Sequence, residues 1–287
     1  MADLHSGTDH SSMATDVDPL DRSDGNPYDD ALVAEIYSSL HGDESRREID
    51  FFVETATEAG SPILELGCGS GTVLIPTARA GITIVGVDAS LPMLAVCRRR
   101  LSAEPETVRS RVPALLHGDM RSFDVDEAFT LITIPFRPFQ HLLTTDDQLA
   151  CLERIRRHLV AGGRLVFDLF NPSLDALANG PFDEKSDVVH EFMMPDGRRV
   201  FRTYRRGRPD RFAQVAQHAL TYEVTHPDGR VQRVTHRFPL RYFFRFEVEH
   251  LLARAGFGVE HVYAGYDRSP YGSRNPGQLI LAAKKLR

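Results

Sequence analysis

A chain of 287 residues, 42% of them hydrophobic, can bury one large core or two small ones. Its net charge of −6 lacks the basic excess of a general nucleic-acid binder. Cys68, Cys97 and Cys151 lie far apart and fit neither a zinc pattern nor a disulfide framework, which points to a reducing, cytoplasmic setting. No apolar run reaches the roughly 20 residues of a membrane span, and no signal peptide is expected.

Residues 1–26 are rich in Ser, Asp, Gly and Thr, which predicts a disordered tail. Leu32, Ile36 and Leu40, four apart, predict a helix over Tyr28 to Leu40. Ile49, Phe52 and Val53 predict a second over Glu44 to Ala59, stopped by Gly60. From Ser61 strand and helix alternate, the signal for a parallel sheet covered on both faces. The first strand is Pro62 to Leu66. A helix follows the glycines, with a kink expected at Pro76. Thr83 to Val87 is the second strand, closed by Asp88, and Ser90 caps a helix running to about Leu101. Pro113 to Leu116 and Phe129 to Ile134 are the third and fourth strands. A loop over Pro135 to His141 leads to a capping box, Thr145 to Gln148, and to a helix that Gly162-Gly163 ends. Arg164 to Phe170 is the fifth strand.

The alternation then stops. Pro-Asp-Gly turns at Pro195 and Pro227 join strand-like runs, Val188 to Met194 with Arg199 to Arg205 and Ala216 to Thr225 with Val231 to Arg241. An inserted antiparallel sheet is predicted there. A helix from about Phe246 to Ala255 and strands near Val259 to Gly265 and Gln278 to Lys284 complete the fold. The expected division is a tail over 1–26, lid helices over 27–60, a cofactor-binding core over 61–170, a β insert over 171–243 and a core completion over 244–287.

The stretch Ile63 to Thr72 reads as strand, glycine loop and helix start. Glycines let the backbone approach a ligand where any Cβ would collide. The spacing Gly67-x-Gly69-x-Gly71 differs from the dinucleotide G-x-G-x-x-G. Glu65, two residues before the first glycine, would repel a pyrophosphate and attract a cation such as the ammonium of an amino-acid-bearing nucleoside. That points to S-adenosylmethionine. The stretch resembles the first motif, E/D-x-G-x-G-x-G, of class I S-adenosylmethionine-dependent methyltransferases. The resemblance implies an α/β fold with a Rossmann-like seven-stranded sheet, carrying the antiparallel β insert as an addition.

It also implies site residues. Gly67 and Gly69 would lie along the methionine portion of the donor and Glu65 would contact its amino group. Asp88 would accept from the ribose hydroxyls, as strand-end acids do in nucleotide folds, with capping of the next helix as its other reading. Met93 fits the adenine face or plain core. Asp119 would accept from the adenine amino group, with Met120 donating its N–H to the ring. Tyr28 and Tyr37 resemble lid aromatics near the methyl group, or are tyrosines with buried rings and wet hydroxyls. Cys68, Gly71, Ala89 and Ile134 complete the cofactor-binding set beside these motifs.

Methyl transfer is an in-line displacement that needs alignment and exclusion of water, and no metal is expected. His141 is the candidate general base, because its loop follows the fourth strand, where the family presents the methyl group; a structural role is the alternative. Phe136, Arg137, Gln140 and His141 are the candidate substrate-binding residues, and Phe139 a second aromatic wall. Arg198, Arg199, Arg202, Arg205, Arg206, Arg208 and Arg211 crowd the insert and read as a charged sheet edge more readily than as a site for an anionic acceptor. His190, His218, His226 and His236 have no metal-like spacing. The layout is similar to glycine and amino-sugar N-methyltransferases. It implies a small-molecule acceptor methylated on nitrogen or oxygen, no nucleic-acid or membrane partner, and a homodimer through the β insert as an option. Carbon methylation and a non-catalytic cofactor sensor are the alternatives.

Overall fold

The computed structural model describes residues 28–40, 47–179 and 188–286. The tail expected over 1–26 lies outside them. Helices α1 (Ala31–Leu40) and α2 (Arg47–Ala59) lead into β1 (Ile63–Leu66), α3 (Leu74–Arg79), β2 (Ile84–Asp88), α4 (Leu91–Ser102), α5 (Glu106–Arg109), β3 (Leu115–His117) and β4 (Phe129–Ile134). A 3-10 turn over Pro138–His141 precedes α6 (Thr145–His158), β5 (Leu159–Leu169) and α7 (Leu174–Asn179). Strands β6 (Val188–Met193), β7 (Arg199–Arg206), β8 (Val215–Thr225) and β9 (Val231–Arg241) come next, then α8 (Arg245–Arg254), β10 (Phe257–Tyr263) and β11 (Leu279–Lys285).

Seven strands form one sheet in the order β10-β11-β5-β4-β1-β2-β3, parallel except for β11, which runs against β10 and β5. All four side chains of β1 are buried because both faces of the sheet are covered, which is why its run is continuously apolar around Glu65. β1 pairs with β2 on one side and β4 on the other. The chain order reverses at that point, so a crevice opens beyond the carboxyl ends of β1 and β4, the usual ligand position in open α/β sheets.

β6 to β9 form a separate antiparallel sheet, β7 pairing with β8 to join the two hairpins. Gly197 and Gly229 take φ of +85° in the Pro-Asp-Gly turns, a conformation that favours glycine. Pro239, which lacks a donor, sits on β9, an edge strand of that sheet. Helix α1 packs on this sheet: Val33 and Ile36 share a buried cluster with Val200, Leu220, Tyr222 and Phe238. Among the described residues, no helix is long and apolar enough to cross a membrane.

Four local expectations are corrected. Helix α3 starts at Leu74, so Pro76 falls in its first turn, where no backbone N–H is needed and no kink follows. The cap of α6 is Thr144, which accepts from Asp147 N at 3.1 Å, one residue earlier than expected. Helix α6 ends at His158, and Gly162-Gly163 belong to a bulge in β5, whose pairing with β4 jumps from Leu159 to Arg164. The one-turn helices α5 and α7 have no expected counterpart.

Candidate active site

A cavity of about 340 Å³ opens over the carboxyl ends of β1 and β2. Glu65, Gly67, Cys68, Gly69, Asp88 and Ala89 line it from the strand ends, and Tyr28, Tyr37, Met93 and Met120 close it from above. Gly67 and Gly69 take φ of +70° and +53°, and a Cβ on Gly67 would stand 2.8 Å from Pro138 Cγ, so only glycine fits there without displacement. Gly69 N donates to Asp88 Oδ2 at 2.7 Å and Ser90 N to Asp88 Oδ1 at 2.8 Å, so Asp88 ties the glycine loop to the start of α4 as well as facing the cavity. Burial pushes the Asp88 pKa up, against the pull of those two N–H donors. Ser90 Oγ accepts from Met93 N and donates to the Tyr28 carbonyl at 2.6 Å, which anchors the N-terminal segment over the cavity.

Glu65 is 2% exposed, and its Oε2 has no hydrogen-bond partner among the described residues. Burial, and then the neighbouring Asp88, raise its pKa well above the ordinary value. An unpartnered carboxylate oxygen at the floor of a cavity is a site for a cation with N–H donors. The ammonium of S-adenosylmethionine fits that requirement, and the bare main chain at Gly67 and Gly69 fits the close approach of its amino-acid portion. Among the described residues, no group of three or more His, Cys, Asp or Glu could hold a metal ion.

Three expected cofactor residues lie elsewhere. Asp119 accepts from Arg121 Nε at 2.9 Å and Nη2 at 2.6 Å, and Arg121 also reaches Asp147; these bonds hold the Asp119 carboxyl below its usual range and keep it off the cavity wall. Ile134 is fully buried in the core. A Cβ on Gly71 would meet Cys97 Sγ at 2.7 Å and Ile75 Cδ1 at 3.0 Å, so this glycine serves helix packing.

A second cavity of about 300 Å³ lies between the loop after β4 and the inner face of the four-stranded sheet. Phe136, Arg137, Gln140 and His141 all line it. Phe136 and Arg137 adopt φ of +64° and +69°, two consecutive left-handed side-chain-bearing residues, each costing about 1–3 kcal/mol unless its surroundings hold it. The buried Asp168 at the end of β5 supplies that hold. It faces the backbone N–H groups of both residues, stands 3.5 Å from Arg137 Nε and accepts from Tyr266 OH at 2.9 Å. Arg137 also donates to Gln278 Oε1 at 2.9 Å. Gln140 is a clamp: its Nε2 donates to Arg241 O at 2.6 Å and its Oε1 accepts from Phe170 N at 2.8 Å, so its amide is taken up within the fold. Phe139 is fully buried against Phe167 and Phe243 and walls neither cavity.

Tyr28, Phe136, His141 and Phe238 line both cavities and form the passage between them. The His141 ring lies 6.3 Å from Tyr28 and 5.8 Å from Phe238, and burial lowers its pKa to about 4. Its imidazole is therefore neutral at physiological pH. The inner face of the sheet adds Arg202 and Arg206 on β7, read from the sequence as a charged edge, and Tyr204 on β7, His218 on β8 and Phe238 on β9, which sequence reasoning left unassigned. Their period-two spacing was the available signal. Arg198 pairs with Asp196 and Glu35, and Arg199 with Glu191, but β7 lies between β6 and β8, so the charged sheet edge expected there is corrected. Arg202 departs from that pattern, with its Nε buried and unbonded among the described residues.

Residues 63–163 match a methyltransferase domain family. A cypemycin N-terminal methyltransferase from a Streptomyces species is 27% identical over 232 residues, 79% of this chain and 84% of that one. The dTDP-3-amino-3,6-dideoxy-alpha-D-glucopyranose N,N-dimethyltransferase of Streptomyces fradiae is 27% identical over 243 residues, 81% of this chain and 86% of that one. The S-adenosylmethionine-bound structure of CalS10, an amino pentose methyltransferase from Micromonospora echinaspora, shares the fold with a TM-score of 0.62, covering 88% of this chain and 96% of that one at 22% identity. With the strand order, the glycine loop and the unpartnered acid beneath it, segment 63–163 is a methyltransferase domain, carried on the seven-stranded fold of class I S-adenosylmethionine-dependent methyltransferases.

Proposed function

We propose that the cavity over β1 and β2 holds the methyl donor and that the second cavity holds a small-molecule amine, the two meeting at Tyr28, Phe136, His141 and Phe238. That shared passage is the observation that carries the reading. Glu65 receives the donor's ammonium, Asp88 its ribose, and Met93 and Met120 pack on its base. The donor supplies a methyl group already activated on a sulfonium. The chain's own task is alignment and exclusion of water, worth up to about 7–11 kcal/mol in favourable cases.

As the nitrogen lone pair forms the N–CH3 bond, the S–CH3 pair returns to sulfur, so the nitrogen must arrive uncharged. His141, neutral at working pH, accepts an N–H of the amine and points its lone pair through the passage. With a pKa near 4 it is a poor store for the released proton, which favours orientation over base catalysis. The names of the two relatives, one acting on a peptide N-terminus and one on an amino sugar, support nitrogen over oxygen or carbon.

Calorimetry with S-adenosylmethionine followed by label transfer from its methyl group to 3-amino-3-deoxyglucose and related amines tests this. Donor binding and an N-methylated product are expected; a well-folded protein that binds no donor would overturn it. The reading includes a homodimer through the four-stranded sheet, supported by exposed Val189 and Met193 on β6, an edge strand. Sedimentation as a monomer at high concentration would remove that part.

A further inference from the structure

The inner face of the four-stranded sheet carries one polar pair that the reading above does not use. Tyr204 on β7 and His218 on β8 are diagonal neighbours, since Tyr204 is opposite Leu220 and Arg206 opposite His218. Tyr204 OH and His218 Nδ1 lie 2.5 Å apart, and the two rings stack with centroids at 5.6 Å. His218 stacks on Phe238 at 5.8 Å, and Phe238 in turn faces His141 at 5.8 Å. Both members of the pair line the second cavity, where the neighbours Ala216, Leu220 and Leu240 are apolar.

The pair has hydrogen-bonding capacity to spare. A hydroxyl has one donor and two acceptor positions, and a neutral imidazole one of each. The one bond between them uses a single proton and a single lone pair. Whichever group gives the proton, the pair retains one donor and at least one acceptor. Burial lowers the His218 pKa to about 3 and raises that of Tyr204, so both are uncharged at neutral pH. An uncharged donor–acceptor pair suits a group that is itself an uncharged donor and acceptor, and a hydroxyl is the simplest such group. Arg202 and Arg206 line the same cavity, so a carboxylate or phosphate would go to their guanidinium groups and not to the pair.

We propose that the acceptor carries a hydroxyl group that docks on the Tyr204–His218 pair, one aromatic ring away from His141, so that these two residues select an amino alcohol over a plain amine. The inference rests on the donor and acceptor cavities assigned above. The hydroxyl donates to the free acceptor of the pair and receives its free donor, which fixes the far end of the molecule while His141 fixes the nitrogen. A site built this way rejects an analogue lacking the hydroxyl, because the pair is then left with unmet polar groups beside Ala216, Leu220 and Leu240.

The test uses the full chain saturated with S-adenosylhomocysteine and three probes titrated by calorimetry: 3-amino-3-deoxyglucose, glucose and cyclohexylamine. The amino sugar is expected to bind at least about tenfold more tightly than cyclohexylamine. Tyr204→Phe, which keeps the ring and deletes only the hydroxyl, is expected to narrow that ratio to within about threefold. His218→Phe, which keeps the stacking, should do the same and serves if the first variant fails to fold. A ratio unchanged in a folded variant would overturn the proposal, as would cyclohexylamine binding the native protein as tightly as the amino sugar, or no binding by either hydroxyl-bearing probe. Methyl transfer is read separately. Variant-sensitive binding of glucose without methylation of any amine would uphold the hydroxyl site and sink the amine reading. Methylation of amines with no hydroxyl preference would do the reverse.

Discussion

Replacing Glu65 with Gln should move stability and donor affinity in opposite directions. The side chain is 2% exposed, and burial with the nearby Asp88 raises its pKa well above the ordinary value. With the pKa raised in the folded state, the folded chain keeps a proton that the unfolded chain has released. The contribution to stability is then full below the unfolded value of about 4.3 and is lost as pH rises through the folded value. At neutral pH the unliganded native protein bears that loss and the Gln variant does not. An unmet buried polar group costs about 1–3 kcal/mol. At about 2–4 °C per kcal/mol for a chain near this size, the unliganded variant should melt roughly 2–12 °C higher.

The donor's ammonium would be the missing partner of Oε2, and a hydrogen bond to a charged group is worth about 1.5–3 kcal/mol. Its loss should weaken donor binding roughly 10- to 150-fold. Scanning fluorimetry with and without S-adenosylmethionine, together with calorimetry, reads both quantities. A variant that melts lower than the native protein, or binds the donor within about twofold of it, would refute the reasoning.

Two further residues carry expected outcomes. His141→Ala should lower kcat about 10- to 100-fold through misorientation of the acceptor, with donor affinity unchanged by calorimetry. Because the His141 pKa is lowered to about 4, the native kcat profile should show no inflection from it near the usual value of about 6.5, and an inflection there that the variant abolishes would restore it as a base. Asp168→Asn removes the charge facing Arg137 and the turn at Phe136. A broken buried pair costs about 3–5 kcal/mol, and the low end applies because Arg137 keeps 31% of its side chain in water. Denaturant titration should show about 3 kcal/mol lost, and kcat should fall more than donor affinity, since the turn lies in the passage and not in the donor cavity alone.

The sheet was legible where periodicity and local chemistry agreed. Phe129 to Ile134 is an unbroken apolar run and forms β4 with those bounds, and Ser90 before Leu91-Pro92 caps α4 as its hydroxyl and the following proline require. The two Pro-Asp-Gly turns fixed both hairpins of the insert. Misreadings arose where a competing partner could not be seen. Asp119 looked free for an adenine, but Arg121 two residues on takes both of its oxygens. Gln140 looked free for an acceptor, but its partners, Arg241 and Phe170, are distant in sequence. Thr144 and Thr145 are both able to cap, and only backbone geometry chose the first. The period-two spacing of Arg202, Tyr204 and Arg206 puts them on one face of β7, but which face turns inward depends on how the sheet docks against the loop after β4.

The division of labour between the two cavities explains why the donor was readable and the acceptor was not. The family match covers 63–163 and includes Glu65, the glycine loop, Asp88 and His141. It ends before β7, β8 and β9, which build one wall of the second cavity. Of the four residues in the passage, Phe136 and His141 come from the matched segment, Tyr28 from the N-terminal segment held by Ser90, and Phe238 from the sheet. With the donor and acceptor placed as proposed, chemistry at the methyl group follows from the matched domain, whereas selection of what receives it depends on a sheet outside it. Helix α1 buries Val33 and Ile36 against that sheet, while Tyr28, just before it, is tied to the start of α4 beside Asp88. The acceptor wall is thus joined to the donor loop by this N-terminal segment and by the loop after β4, whose Gln140 bonds Arg241 O and whose Pro138 stands over Gly67. A change in the sheet can alter which amine is accepted while the contacts of Glu65 and Asp88 stay as they are.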